Sequence, residues 1–461
     1  MLIRDATVFG IGDTDVRWTH RHITECGRGL RPLPGEDDID ARGGWLLPGL
    51  HDHHVHLRAL AAQEGSVRLG PPQIHTATEF ATRLRQADAD LPPQGWIRGV
   101  GYHESVAGDL DRAGLDRILP NRPIRIQHRS GALWILNSRA CDLLGVHDCA
   151  LPGVERDPAG YATGRLWRMD SWLGGRIGAP APDPTAIAAR AAALGITGFT
   201  DATPGLGQDD IDAFADSVAS GRIPQRLHCM APPAVLDPGT ERFSLGPTKI
   251  LLDDHTLPSL DEFTARLREL HEGGKSAAVH CVTRVQLVLT MAALDSAGVR
   301  AGDRIEHGAI VPAEAMAWLT EHAIPVITQP HFLVERAAQY AAEVPDADRP
   351  DLWRLGSLIA AGVGVAAGTD APFGGPNPWP VVRAAIGRDS DSPTTEAIST
   401  RAALALFFGR PERPQLARTI APGQLADLTL LATPPGEFTD ALDTELVAAT
   451  IVDGRPVYLA G

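Results

Sequence analysis

From about residue 183 onward the apolar positions switch repeatedly between a helical period and short unbroken runs. "DPTAIAARAAALGITGFTDA" reads as an alanine-rich helix followed by a β-branched strand, with Asp183 as N-cap, Pro184 as first helical residue and Gly195 as the stop. "SLDEFTARLRELHEGGKSAAVHC" repeats the unit: Ser259 and Glu262 form a capping box, Gly273 and Gly274 end the helix, and the strand runs to His280. "VQLVLTMAALDSAGVRAGDRIEHG", "PAEAMAWLTEHAIPVITQP" and "DLWRLGSLIAAGVGVAAGTDAP" continue the rhythm. Strands alternating with helices imply parallel βαβ units, and uniformly apolar strands imply that both faces are covered.

Such units build an open doubly wound sheet or a closed barrel. Several predicted strands end in a polar residue, His56, His280, His307 and Asp370. A barrel brings strand C-termini to one mouth, whereas an open sheet spreads them along an edge. The expected fold is therefore α/β, a (β/α)8 TIM-type barrel. The two ends of the chain alternate with period two instead, and Asp453-Gly454 marks a hairpin turn. Because a short sheet needs partners, residues 1–47 and 418–461 are expected to form one composite β-sandwich domain. Residues 48–417 would form the barrel, with an insertion at about 60–180 that is too long for one barrel loop.

Composition narrows the function. The 461 residues suffice for a barrel with an accessory module, and a formal net charge of -15 with scattered arginines argues against a nucleic-acid partner. No apolar run approaches the roughly 18 residues of a membrane span, and the N-terminus lacks a signal-peptide pattern. The five cysteines are scattered, which suggests reduced thiols in the cytoplasm. The expected partner is a small-molecule substrate, without nucleic acid or membrane; a homo-oligomer is compatible with the sequence.

The chemistry concentrates in "PGLHDHHVHL". Residues two apart on a strand face the same way, so His54 and His56 form a chelating pair, while His51 and His53 are expected to point to the opposite face or to lie before the turn and are not counted as ligands. His280, His307 and Asp370, each following an apolar strand core, supply what a divalent ion would still lack. Of the 42 basic residues only Lys249 and Lys275 are lysine. Lys249 opens "PTKILLDD", a predicted barrel strand, where burial would favour its neutral amine. A neutral amine can take up carbon dioxide, and the resulting carbamate can bridge two metal ions.

Taken together these segments resemble the amidohydrolase superfamily of metal-dependent hydrolases. "PGLHDHHVHL" is similar to its first-strand signature, and "ILLDD", "AAVHC", "DRIEHG" and "GTDAP" fall in its order for strands four, five, six and eight. "HRSGALWILNS", "GITGFTDA" and "GTDAPFGGPNPW" resemble the amidohydrolase 3 branch, which includes N-substituted formamide deformylase. The resemblance implies two divalent ions, zinc foremost. His54 and His56 would hold one, His280 and His307 the other, with carbamylated Lys249 bridging and Asp370 touching the first. It also implies hydrolysis of an amide, formamide or cyclic-amide C–N bond by metal-activated hydroxide, with Asp370 as the catalytic proton carrier. Tyr102, His103, His128, Gln329 and His331 are candidate substrate contacts. The chain departs from the branch at Ala132, where many members carry histidine, and in a short segment after Lys249. Two other readings use the same residues. A mononuclear deaminase would place His54, His56, His280 and Asp370 on one ion with His307 or Glu306 handling protons, and a barrel with a regulatory role would need no catalysis.

Overall fold

The computed structural model describes residues 1–71, 73–92, 95–178, 182–387, 396–440 and 446–460. The chain divides into two compact units, one of residues 1–57 and 184–461, the other of residues 58–183. Among the described residues no helix is long and apolar enough to cross a membrane.

In the first unit both chain ends enter a single eight-stranded sheet. Leu428–Leu431 pairs antiparallel with Trp45–Pro48, and this pairing joins the N-terminal strands to the C-terminal hairpin Val447–Val452 and Arg455–Leu459. The hairpin turns at Asp453 and Gly454, whose φ of 53° and 76° are the left-handed values a two-residue turn requires. Ile3, Val16, Trp18, Leu428, Leu430 and Ile451 pack together as its core, and the buried Trp18 indole donates to Gly454 O at 2.8 Å.

The rest of this unit is α/β. One parallel sheet carries Leu50–Val55, Ile196–Asp201, Arg226–Met230 and Phe243–Gly246; a second carries Thr248–Ile250, Ala277–Cys281, Arg304–His307, Val326–Thr328 and Val365–Ala367. Phe243–Gly246 runs through Pro247 into Thr248–Ile250, so the last strand of one sheet continues as the first of the other. At the opposite edges, Asp370 N donates to His54 O and His56 N to Ala371 O, both at 2.8 Å. Gly368 lets these segments meet, since a Cβ there would lie 2.5 Å from His54 N. One face of the second sheet packs against helices: Ile250, Val279, Ile305 and Val326 share a core with Phe263, Leu267, Leu287, Leu294 and Leu319.

The helix signals hold closely. Ser259 and Glu262 make the capping box of Leu260–Glu272, and Gly273 closes it. The alanine-rich helix spans Thr185–Ala193, with Pro184 rather than Asp183 in the cap position. Pro184 has no N–H to place in the helix, so the shift by one residue costs little.

The second unit contains a six-stranded sheet ordered Val154–Arg156, Ala162–Trp167, Leu133–Leu136, Ile124–His128, Ile97–Tyr102 and Val67–Arg68. The helix Ala77–Asp90 packs Phe80 and Leu84 against Ile97, Ile124 and Ile126.

Candidate metal centre

The strand Leu50–Val55 does not keep strict alternation. Phe199 pairs with Asp52 and Asp201 with Val55, so His53 and His54 together oppose the one residue Thr200. Such a bulge puts two successive side chains on one side. His51 Nε2 lies 2.8 Å from Thr200 Oγ1 and its ring 4.6 Å from that of His53, while His54 Nδ1 bonds Glu306, whose charge also acts on His53. The expectation that His51 and His53 face away from His54 is thus corrected, and the bulge is the reason. Neither reaches the cluster below: both are buried to 2% or less beneath it, and neither ring nitrogen of His53 has a partner.

His54 and His56 converge on Asp370. Their Nε2 atoms lie 3.6 and 3.3 Å from Asp370 Oδ1, and one ligand atom of each of the three falls within 4.8 Å of the others. Lys249 Nζ lies 3.3 Å from His54 Nε2. The His307 ring stands 4.7 Å from His54 and 4.6 Å from His280. His54, His56, Lys249, His280, His307 and Asp370 are therefore brought together from five strands or strand ends. Two of them depend on unusual backbone: His307 and Asp370 have φ of 72° and 52°. Glu306 precedes His307 and touches His54, so ordinary alternation would turn His307 away; the left-handed residue returns its ring to the same side. His and Asp are among the side chains that accept this conformation more readily.

Behind the ligand set lies a layer of orienting groups. Glu306 Oε2 accepts from His54 Nδ1 and Oε1 accepts from Arg304 Nε at 2.6 Å. Asp52 accepts from His54 N at 3.2 Å, Thr369 N at 2.9 Å and Thr369 Oγ1 at 2.5 Å. Gln329 Oε1 pairs with His307 Nδ1 at 2.7 Å. Protonation follows from burial and these partners. Burial pulls His54 down to about 3 and His307 to about 4, so both are neutral at neutral pH, the form in which an imidazole nitrogen can donate to an ion. Burial likewise lowers Lys249 to about 8 despite the pull of Glu306 and Asp370. For Asp370, burial pushes upward, but the imidazoles around it, His56 foremost at 3.3 Å, outweigh it and hold the carboxyl below the usual range. Glu306 is also held low: Arg304 and His54 overcome its burial.

The donor set suits a divalent ion. Imidazole nitrogens and a carboxylate oxygen are zinc's usual non-thiolate ligands, and Asp370 Oδ1 is buried without a hydrogen-bond donor. Each ring whose far nitrogen contacts Glu306 or Gln329 has the orienting partner that metal-bound histidines have.

The substrate-contact candidates fare differently. His331 is buried with neither ring nitrogen partnered, and burial lowers it to about 4. Gln329 is fully buried and its Oε1 is engaged with His307 Nδ1. Tyr102 lies in the core of the second unit and donates its hydroxyl to Gly108 O at 2.6 Å. His103 and His128 also belong to the second unit, where they meet Glu104. Glu306, Arg304 and Asp52 are the functional groups that motif reading passed over as ligand supports. The signal was present for Arg304 and Glu306, charges two apart on one face of a buried strand, whereas the bulge at His53 and His54 removes it for Asp52.

Parallel β/α units that gather imidazoles, a lysine and a carboxylate at strand ends define a class of protein built to hold divalent ions there. The particular family follows from comparison: the Amidohydrolase family model Amidohydro_3 matches residues 37–458, and the chain belongs to that family. It is 23% identical over 487 residues to the amidohydrolase-family protein YtcJ of Bacillus subtilis (strain 168), covering 92% of this chain and 91% of that protein. It is 31% identical over 140 residues to the N-substituted formamide deformylase of Arthrobacter pascens, covering 29% and 26%. The solved structure of an uncharacterized metal-dependent hydrolase from Pyrococcus furiosus superposes with a TM-score of 0.72 at 20% identity, covering 94% of this chain and 99% of that one.

Proposed function

We propose that the protein is a metal-dependent hydrolase of a C–N bond in an amide, formamide or cyclic amide, with a binuclear centre bridged by carbamylated Lys249. The carrying observation is the convergence of His54, His56 and Asp370 with Lys249 Nζ 3.3 Å from His54 Nε2. In this reading the two parallel sheets are one (β/α)8 barrel, and residues 1–47 with 418–461 are a composite β-sandwich domain beside it.

His54, His56 and Asp370 would hold one ion and His280 and His307 the other, zinc being the ion that best suits the donors. Bound divalent ions supply Lewis acidity to a carbonyl and lower the pKa of water. The chain's own part begins at Lys249. Its neutral amine forms a C–N bond to carbon dioxide and releases one proton to solvent, which replaces a buried cation by an anionic ligand. Glu306 keeps the His54 proton on Nδ1 and leaves Nε2 free to ligate. Asp370, ionised at neutral pH, takes a proton from the attacking water on its carboxylate and returns it to the leaving nitrogen. His331, with two unspent ring nitrogens, is the substrate contact this unit offers.

A one-ion deaminase is the second reading. It draws on the fact that one ligand atom each of His54, His56 and Asp370 lies within 4.8 Å of the others, a grouping that His280 and His307 do not join. Elemental analysis of the purified protein and amine or ammonia release from a panel of N-formyl, N-acyl and cyclic amides test both. Two ions per chain and hydrolysis that Asp370→Asn abolishes are expected. One ion with an unmodified Lys249 favours deamination, and no turnover on any amide with wild-type metal content leaves the regulatory barrel.

A further inference from the structure

The second unit carries a cluster that the proposed reaction does not use. His103 follows the strand Ile97–Tyr102 and His128 ends the parallel neighbour Ile124–His128, with Tyr102 in register with His128. The two rings stack at 5.8 Å. Both Nε2 atoms turn to one oxygen, Glu104 Oε2, at 3.7 Å from His103 and 3.1 Å from His128. One ligand atom of each residue lies within 4.8 Å of the others. Two donors bound at about 2.0–2.1 Å to a tetrahedral ion stand roughly 3.3 Å apart, and the two observed separations bracket that value.

The far side of each ring separates an ion site from a plain carboxylate–imidazole cluster. "HES" and "HRS" place a serine two residues after each histidine. His103 Nδ1 lies 2.8 Å from Ser105 Oγ and His128 Nδ1 2.7 Å from Ser130 Oγ. The same serines' backbone N–H groups donate to these Nδ1 atoms at 3.2 and 3.1 Å, which puts the ring protons on Nε2, facing Glu104. For Nε2 to ligate, each proton must move through solvent to Nδ1, with no net change in protonation. A backbone N–H cannot accept a proton from Nδ1, but a serine hydroxyl can rotate and do so. In the ligating tautomer each serine hydroxyl turns to accept from Nδ1, while the serine backbone N–H gives up its bond to that nitrogen.

We propose that His103, Glu104 and His128 form a divalent-ion site of the zinc class within the second unit, with three protein ligands and the remaining coordination open to water or ligand. The two histidines then bind metal in place of the substrate contact expected of them. The serines are positioning residues that hold the Nδ1 protons.

The test uses the full chain stripped by chelator and dialysed against buffered free Zn2+, with bound metal counted by elemental analysis. Wild type is expected to hold one more Zn2+ per chain than His103→Asn/His128→Asn and than the near-isosteric Glu104→Gln, with melting curves of the metal-free proteins unchanged. Ser105→Ala/Ser130→Ala should weaken this ion by about 10-fold or more while its Co2+ form keeps its visible absorption at saturation. An equal ion count in wild type and Glu104→Gln overturns the proposal. So does an equal count accompanied by a raised KM for an amide substrate in the histidine variant, which would return these side chains to substrate contact.

Discussion

Replacing Glu306 by glutamine should damage the centre without touching any proposed ligand. Glu306 is fully buried, holds the His54 Nδ1 proton with one oxygen and Arg304 Nε, at 2.6 Å, with the other. An amide offers one acceptor and one donor in place of two acceptors. Whichever way it is turned, one N–H of His54 or Arg304 then faces another N–H. Losing an orienting partner of a metal-bound histidine costs about 10–100-fold in metal affinity, or about 1.4–2.7 kcal/mol. Arg304, 3% exposed and with Nη2 already unpartnered, would also lose its counter-charge. Breaking a buried pair by removing one member typically costs about 3–5 kcal/mol of stability. The two effects separate in a double variant. Arg304→Met/Glu306→Gln removes the stranded cation and should recover much of the stability, while His54 remains unoriented and metal affinity stays low. Competition with a chromophoric chelator reads the first quantity and thermal melts of the metal-free proteins read the second. If Glu306→Gln binds metal as wild type does and melts within a degree of it, the carboxylate is not the group that orients His54.

Acid should destabilise the metal-free protein earlier than carboxylate titration would. His54 and His228 are lowered to about 3, and His307 and His331 to about 4, each chiefly by burial. Below about pH 6.5 the unfolded chain protonates these imidazoles and the folded chain does not. Stability present above 6.5 is therefore lost as pH falls towards 4, by up to about 1.4 kcal/mol per pH unit for each imidazole. Melting temperatures that stay flat from pH 7 to about 4.5 would contradict this. For Lys249, the shift from an ordinary 10.5 to about 8 raises the neutral fraction at pH 7 from about one in 3,000 to about one in ten. Protein equilibrated with 13C-bicarbonate and Zn2+ should show one carbamate carbon signal that Lys249→Met lacks; its persistence in that variant would assign the signal elsewhere. Gly246→Ala would set a Cβ 2.5 Å from His228 Nε2, and should cost about 1–3 kcal/mol with metal content unchanged. A wild-type melt for that variant would mean that the buried ring moves aside freely.

Much of this protein is legible along the chain because the signals are local. The capping box at Ser259 and Glu262, the turn at Asp453-Gly454 and the short apolar strands ending in His or Asp all depend on neighbours a few residues away. Lys249 stood out because an ammonium in an apolar strand is costly wherever that strand lies. What the tertiary structure decided is which side of a strand each residue faces. Strict alternation sends His51 and His53 away from His54 and turns His307 away from Glu306. A bulge set by pairing with Ile196–Asp201 and a left-handed residue at 307 reverse both assignments. The bulge has no local signature, because the register of Leu50–Val55 is imposed by a partner strand far along the chain, at Ile196–Asp201. Glu306 illustrates the same limit: its charge beside Arg304 was visible in sequence, but its hold on His54, 252 positions away, exists only once the strands stand side by side.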